Sequence, residues 1–248
     1  MRTPTPHPPI PNRLLAALSI EDYALLAPHF EKMALPRMTK LEFPLREIEH
    51  VYFFDSGIAS IVSVQKTSSV EVGIVGNEGM TGFAVANGND RSPYQTYMQV
   101  GGAGQKIAAD ALRDAFARSE TLRNTCLRFN QAFMIQVTQT AIANARATIE
   151  ERLARWLLMA CDRVQADEIP LTHEFLAMMM GAGRPGVTES VHALASKGLI
   201  RGERGIIVII DRDGLIERAG PFYGVPEREY DRLVGALPNP AQTSGEDG

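Results

Sequence analysis

At 248 residues, with 45% apolar and 22% charged side chains, the chain is long enough for two compact domains and has the composition of an ordinary globular protein. A formal net charge of −4 excludes a protein that coats nucleic acid through bulk charge, so any DNA contact has to come from one local surface. Cys126 and Cys161 lie far apart and exclude a four-thiolate iron–sulfur cluster, and the five histidines hold no i, i+4 pair for zinc, so no metal and no cofactor is expected.

Taken in order, residues 1–11 are proline-rich without apolar periodicity and read as an extended tail with no signal-peptide core. No later run is apolar enough to span a membrane, which makes a cytoplasmic protein the expectation. Asn12 and Ser19 are each placed to cap a short helix, and Ser19 with Asp22 resembles a capping box ahead of Tyr23, Leu25 and Leu26. From about residue 35 to 100 there are short β-rich runs broken by glycine: His50–Phe54, Ile58–Val64, Val70–Val75 and Thr96–Val100, with Asp55-Ser56-Gly57 turning between the first two. Strands of this length and spacing mean a sandwich or barrel.

Ala108–Ala117 reads as a short helix and a long one follows from about Glu120 to Gln165, with a break or solvated link expected at Glu150-Glu151-Arg152. One apolar stripe runs through Leu122, Cys126, Phe129, Phe133, Val137, Ala141, Ala145 and Ile149, and a second through Leu127, Met134, Thr138 and Ile142. One stripe suffices to pack on the β domain. The second points to another copy of the chain, the alternative being a central helix covered on both sides by its own protein. Beyond the link, Leu153, Trp156, Leu157 and Ala160 resume a helix.

Leu171–Ile210 reads as helix, tight turn, helix and β-hairpin. Thr172 is placed to cap the first helix, whose apolar face is Phe175, Leu176 and Met179, and Gly181 allows the turn. In the second helix Val187, Val191, Leu194 and Ala195 form the buried stripe, leaving Arg184, Thr188, Glu189 and His192 as a candidate reading face. Pro185 sits in the first turn, where its missing N–H leaves no bond unmade. Gly198 closes the helix, and Leu199–Arg201 and Ile206–Ile210 make a hairpin around Gly202-Glu203-Arg204-Gly205. The basic residues Arg184, Lys197, Arg201 and Arg204 barely outnumber Glu174, Glu189 and Glu203, so DNA binding should be modest and salt-sensitive, with a dimer doubling the contacts. Asp211 can cap a helix to Ala219, Pro226 begins another with Tyr230 and Leu233 inward, and 238–248 is a polar tail.

This segment resembles the C-terminal DNA-binding domain of the Crp/Fnr family of transcription regulators, through Thr172, Gly181, Arg184, Val187 and the Gly198-Leu199-Ile200 start of the wing. The run Glu71–Gly82, EVGIVGNEGMTG, ahead of a long helix resembles the family's cyclic-nucleotide-binding β-roll. The resemblance implies that Arg184 touches DNA and that the effector pocket involves Glu78, Thr81, Arg91, Ser92 and Thr138. In the family a Gly-Glu pair takes the ribose and an Arg-Ser-Ala run the cyclic phosphate. Here Arg91-Ser92 is followed by Pro93, which has no N–H to donate, Met80-Thr81 stands where Gly-Glu would, and Glu78 lies three residues too early. A degenerate pocket follows, with a solvent-exposed loop arginine as the competing reading of Arg91. Relatives with a similar extension carry Cys-x-Cys-Tyr where this chain has Gly220-Pro221-Phe222-Tyr223, so that extension should be structural.

The expectation is therefore an α+β chain. It has a tail (1–11), a jelly-roll sensor domain of double-stranded β-helix type (12–119), a dimerisation helix (120–150), a winged helix-turn-helix with a helical extension (151–237) and a second tail (238–248). The expected function is a sequence-specific regulator binding a two-fold operator as a homodimer through Arg184, Thr188, Glu189, His192, Thr172 and Arg204. A small-molecule effector and RNA polymerase are further candidate partners. A sensor or protein-interaction module whose winged helix no longer reads DNA is the alternative. No nucleophile–base pair or phosphate-cradling loop points to an enzyme.

Overall fold

The computed structural model describes residues 10–64, 69–171, 173–203 and 205–235. The expected tail 238–248, most of the tail 1–11, Thr172 and Arg204 lie outside the described residues. The chain begins with α1 (Arg13–Ala16) and α2 (Ile20–Leu26), capped by Asn12 and Ser19. The Asp22 carboxylate interacts with the Ser19 side chain and also ties α2 to the start of the long helix, accepting from Ser119 Oγ and, at 2.7 Å, from Thr121 Oγ1. Seven strands follow: β1 (Glu31–Leu35), β2 (Lys40–Glu42), β3 (His50–Phe54), β4 (Ile58–Val64), β5 (Ser69–Val75), and, after the short α3 (Phe83–Ala86), β6 (Gln95–Val100) and β7 (Gly102–Ala108). They form two antiparallel sheets, ordered β1-β7-β3 and β2-β6-β4-β5, around a core that includes Phe53, Phe54, Met98 and Ile107. Gly57, at φ +88°, makes the turn read between β3 and β4.

Strands β1, β2 and β7 carry no readable β pattern. In β7 the reason is steric: a Cβ on Gly104 would lie 2.3 Å from the Phe53 carbonyl and one on Gly102 2.2 Å from that of Ser56. Glycine is required where the chains approach this closely, and it removes the side chains a strand is recognised by.

After α4 (Ala109–Arg118) come α5 (Glu120–Arg146) and α6 (Ile149–Val164). The break falls at Ala147-Thr148, not at Glu150-Glu151-Arg152. Thr148 N-caps α6 in a complete capping box with Glu151, whose carboxylate accepts the Thr148 N–H at 2.7 Å, so the acidic pair is the first turn of a helix rather than a link. The first stripe on α5 is buried only through Phe129; Phe133 and Val137 are half-buried and Ala141 and Ala145 exposed. Four-residue steps on a helix of 3.6 residues per turn drift by about 40° each, so from Phe129 to Ala145 the stripe rotates by about 160° off the core. The buried set, Leu122, Thr125, Cys126, Phe129, Asn130, Ala132, Gln136 and Ala143, keeps the true helical period. Of the second stripe Leu127 is half-buried, whereas Met134 is 62% and Ile142 43% exposed beside exposed Thr138.

The C-terminal unit contains β8 (Glu168–Ile169), α7 (His173–Met180), α8 (Arg184–Ser196), β9 (Ile200–Glu203), β10 (Ile206–Ile209), α9 (Arg212–Ala219) and α10 (Val225–Leu233). The wing is a three-stranded antiparallel sheet, β8-β10-β9, one strand more than the expected hairpin. The helix-turn-helix shares a core with α6. By contrast α10 leaves it: Tyr230 joins the core of the β domain, its ring edge-on to Phe129 at 6.4 Å and its hydroxyl donating to the Glu78 carbonyl at 2.7 Å. The extension expected to complete the winged domain thus straps it to the N-terminal one. Among the described residues no helix is long and apolar enough to cross a membrane.

Candidate nucleic-acid interface and effector pocket

In the helix-turn-helix, Gly181 takes φ +55°, a conformation that favours glycine, and α8 starts at Arg184 with Pro185 in its first turn. Val187, Val191 and Leu194 go inward as expected; Ser190 joins them, its hydroxyl satisfied by the Gly186 carbonyl at 2.8 Å, while Ala195 is exposed. A Cβ on Gly186 would sit 2.9 Å from Ile149 Cδ1, so this glycine lets α8 lie close against the start of α6.

The opposite face is open. Arg184, Glu189 and His192 are exposed, Thr188 is half-buried, and with Pro185 they line one shallow depression. Neighbouring cations are engaged: Lys197 Nζ lies 2.6 Å from Glu150, which also takes Arg218 at 2.7 Å, and Arg201 pairs with Glu203 at 3.0 Å. Arg184 and Glu189 are in no ion pair among the described residues, so the face presents one cation and one carboxylate to an incoming partner.

The five pocket candidates do not converge. Glu78 is buried, with one oxygen accepting the Gly76 N–H at 2.8 Å and the other 2.7 Å from Arg163 Nε on α6. The Arg163 Nε–H is not aimed at the carboxylate, so its contact with Glu78 is a Coulombic pair and not a directed hydrogen bond. The Thr81 hydroxyl accepts from the Tyr52 N–H inside the barrel, near buried Glu42. Arg91 is 58% exposed beside Asp90, the Ser92 hydroxyl accepts from the Tyr94 N–H, and the exposed Thr138 hydroxyl donates to its own helix at Met134. Between the sheet and α5 the space holds aromatic rings: Phe83 stacks on Phe133 with centroids 4.1 Å apart and on Phe129 at 5.8 Å. Phe129 packs so tightly on the chain that a Cβ on Gly79 would be 1.9 Å from its ring.

The sequence reading did not find Glu71. Buried on β5, it accepts from the Ser60 hydroxyl and, at 2.8 Å, from Trp156 Nε1 on α6. Burial pushes its pKa up to about 7 against the pull of those hydrogen bonds and of Arg155 and Arg163. Arg155, itself pushed down to about 10 by burial, donates to the Phe222 carbonyl at 2.9 Å and to Thr140 Oγ1 at 3.2 Å. These polar groups sit where β5, α5, α6 and the segment after α9 meet. Glu71's place in an otherwise apolar strand run is the one sequence signal that pointed to it.

Residues 151–218 match the family model of the Crp-like helix-turn-helix domain. No curated protein matches the chain in sequence. Among solved structures, a transcriptional regulator assigned to the Crp/Fnr family from Eubacterium rectale aligns at 15% identity with a TM-score of 0.65, covering 83% of this chain and 97% of its own. FixK2 from Bradyrhizobium japonicum aligns at 13% with a TM-score of 0.68, covering 77% and 98%. The c-di-GMP-responsive regulator CLP of Xanthomonas campestris aligns at 16% with a TM-score of 0.63, covering 77% and 99%. At these identities the likeness is one of fold.

Proposed function

From a chain that carries a Crp-like helix-turn-helix domain within the fold of Crp/Fnr regulators, we propose a sequence-specific DNA-binding transcription regulator that acts as a homodimer on a two-fold operator. The observation that carries this reading is the face of α8: exposed Arg184, Glu189 and His192 with Thr188, unobstructed around one depression and backed by a buried stripe. Arg184 donates to guanine O6/N7 or a phosphate, Glu189 accepts from cytosine N4, and Thr188 and His192 meet backbone or base edges. Thr172 and Arg204 belong to the same reading as further DNA contacts.

The exposed second stripe of α5 supports the dimer, because Met134 and Ile142 gain cover only from another molecule. Two copies also supply what one lacks, since Lys197 and Arg201 are already paired. The aromatic filling and the solvent position of Arg91 support a β-roll that does not bind cyclic AMP in the usual way. No catalytic activity is part of this reading, and the working compartment is the cytoplasm.

Selecting operator sequences from genomic fragments and titrating them with wild type and Arg184→Ala tests the proposal. Losing one base-edge contact in each half-site should weaken binding by about 1–3 kcal/mol per half-site, about 2–6 kcal/mol for the two-fold site and so at least thirtyfold, and relax the preferred sequence. Unchanged affinity and selectivity across a salt titration would remove α8 as the reading element; weak binding without sequence preference by wild type would favour a docking module instead.

A further inference from the structure

A cleft of about 1040 Å³ opens between α5, the C-terminal end of α6 and α10, away from the α8 face and backed by Phe129 and Phe133 of the aromatic filling. Its volume is at the upper end of those of small-molecule sites. Phe133, Tyr223 and Tyr230 supply aromatic wall. Three arginines and five carboxylates line it, and every arginine is already matched: Arg13 with Asp231 at 3.3 Å, Arg163 with Glu78 at 2.7 Å, and Arg212 with Asp162 at 2.6 Å. Tyr223 tightens the last pair, its hydroxyl donating to Asp162 at 2.7 Å.

Two carboxylates are left over. Glu227 accepts the Gly224 N–H that it caps, at 2.9 Å, and its own N–H, and burial raises its pKa against the pull of Arg163 and Arg155. Asp167 has Cys161 Sγ at 3.8 Å. Neither is in an ion pair among the described residues. An anion entering here would have to compete with a carboxylate already in place at every arginine, and at Arg163 it would leave the Glu78 charge buried and alone. A cation meets two unmatched acceptors and aromatic faces, to which its charge is also attracted.

We propose that this cleft binds a small organic cation, an ammonium or guanidinium on an apolar body, with Glu227 and Asp167 taking the charge and Phe133, Tyr223 and Tyr230 the body. The ligand touches α5 on one side and α6 and α10 on the other, so it holds the strap between the domains in place. Only this consequence rests on the regulator reading; the binding itself does not.

Calorimetry on the full, DNA-free chain tests it with tryptamine, agmatine and spermidine as probes, tryptophol as the neutral counterpart of tryptamine, and cyclic AMP as the anion. The expected result is saturable binding of at least one cation at one site per chain. Tryptophol should bind at least tenfold more weakly than tryptamine, cyclic AMP should not compete, and the E227Q/D167N double variant should lose at least tenfold in affinity. The side-chain amide that E227Q introduces keeps an acceptor for the Gly224 N–H, and the tryptamine–tryptophol difference on wild type is decisive whether or not the variant folds. No saturable binding of any of the three cations at millimolar concentration, equal binding of tryptophol, competition by cyclic AMP, or unaltered affinity in a folded double variant overturns the proposal. Failure to find an operator leaves these outcomes untouched.

Discussion

The face of α8 follows from helical periodicity and the pocket of the β-roll from a family resemblance, and the structure treats them in opposite ways. Arg184, Thr188, Glu189 and His192 come together because one helix holds them at three- and four-residue spacing, with the turn at Gly181 and the buried stripe behind them. Glu78, Thr81, Arg91, Ser92 and Thr138 come from separate loops and a distant helix, and each has found another partner or solvent. Residues on one helix keep their mutual spacing whatever the rest of the chain does, whereas residues drawn from several elements meet only where the tertiary packing brings them together.

The sharpest way to break this contrast is to empty the aromatic filling. Phe129→Ala removes a ring that is 2% exposed and should cost about 3–5 kcal/mol in urea unfolding; a loss below about 1 kcal/mol would mean that the β-roll is open after all. Glu71 provides the next test. Its pKa rises from 4.5 unfolded to about 7 folded, so its stabilising contribution is complete below pH 4.5 and is lost as pH rises through 7. The stability of wild type minus that of Glu71→Gln should fall by about 2–3 kcal/mol between pH 5 and 8. Trp156, the sole tryptophan, reports the same titration by fluorescence; a flat difference would show that Glu71 is not held in this buried pair.

Smaller effects test the partners. Replacing Met134 and Ile142 with Glu removes about 1–3 kcal/mol of apolar burial per side chain from a dimer and adds buried charge, so the double variant should sediment as a monomer without loss of helix; an unaltered sedimentation profile would place the dimer contact elsewhere. Arg91→Ala should be the quietest, changing stability by less than about 0.5 kcal/mol and leaving operator binding alone, with or without cyclic AMP. A clear loss of cyclic AMP response would restore this arginine to a working pocket.

Much of the fold was legible. β3 and β4 match their predicted limits, since the Gly57 turn and dense β-branched runs bound them on both sides. Three other strands were hidden, in β7 by glycines that tight chain crossing demands. The helix break was legible as an event but misplaced: Glu150 and Glu151 look like a solvated link until Thr148 is seen capping the helix they begin.

What this sequence determined by itself is the second helix of the helix-turn-helix and the turn before it, because periodicity, capping and left-handed glycine conformations act within a few residues and need no distant contact. What only the tertiary structure decided is the filled β-roll, the buried Glu71–Trp156 pair and the strap of α10. Tyr230 meets Glu78 across 152 positions, and Glu71 meets Trp156 across 85. Such contacts depend on which surfaces remain apolar and unpaired once the local elements have formed, a condition set by packing in three dimensions and absent from any local pattern.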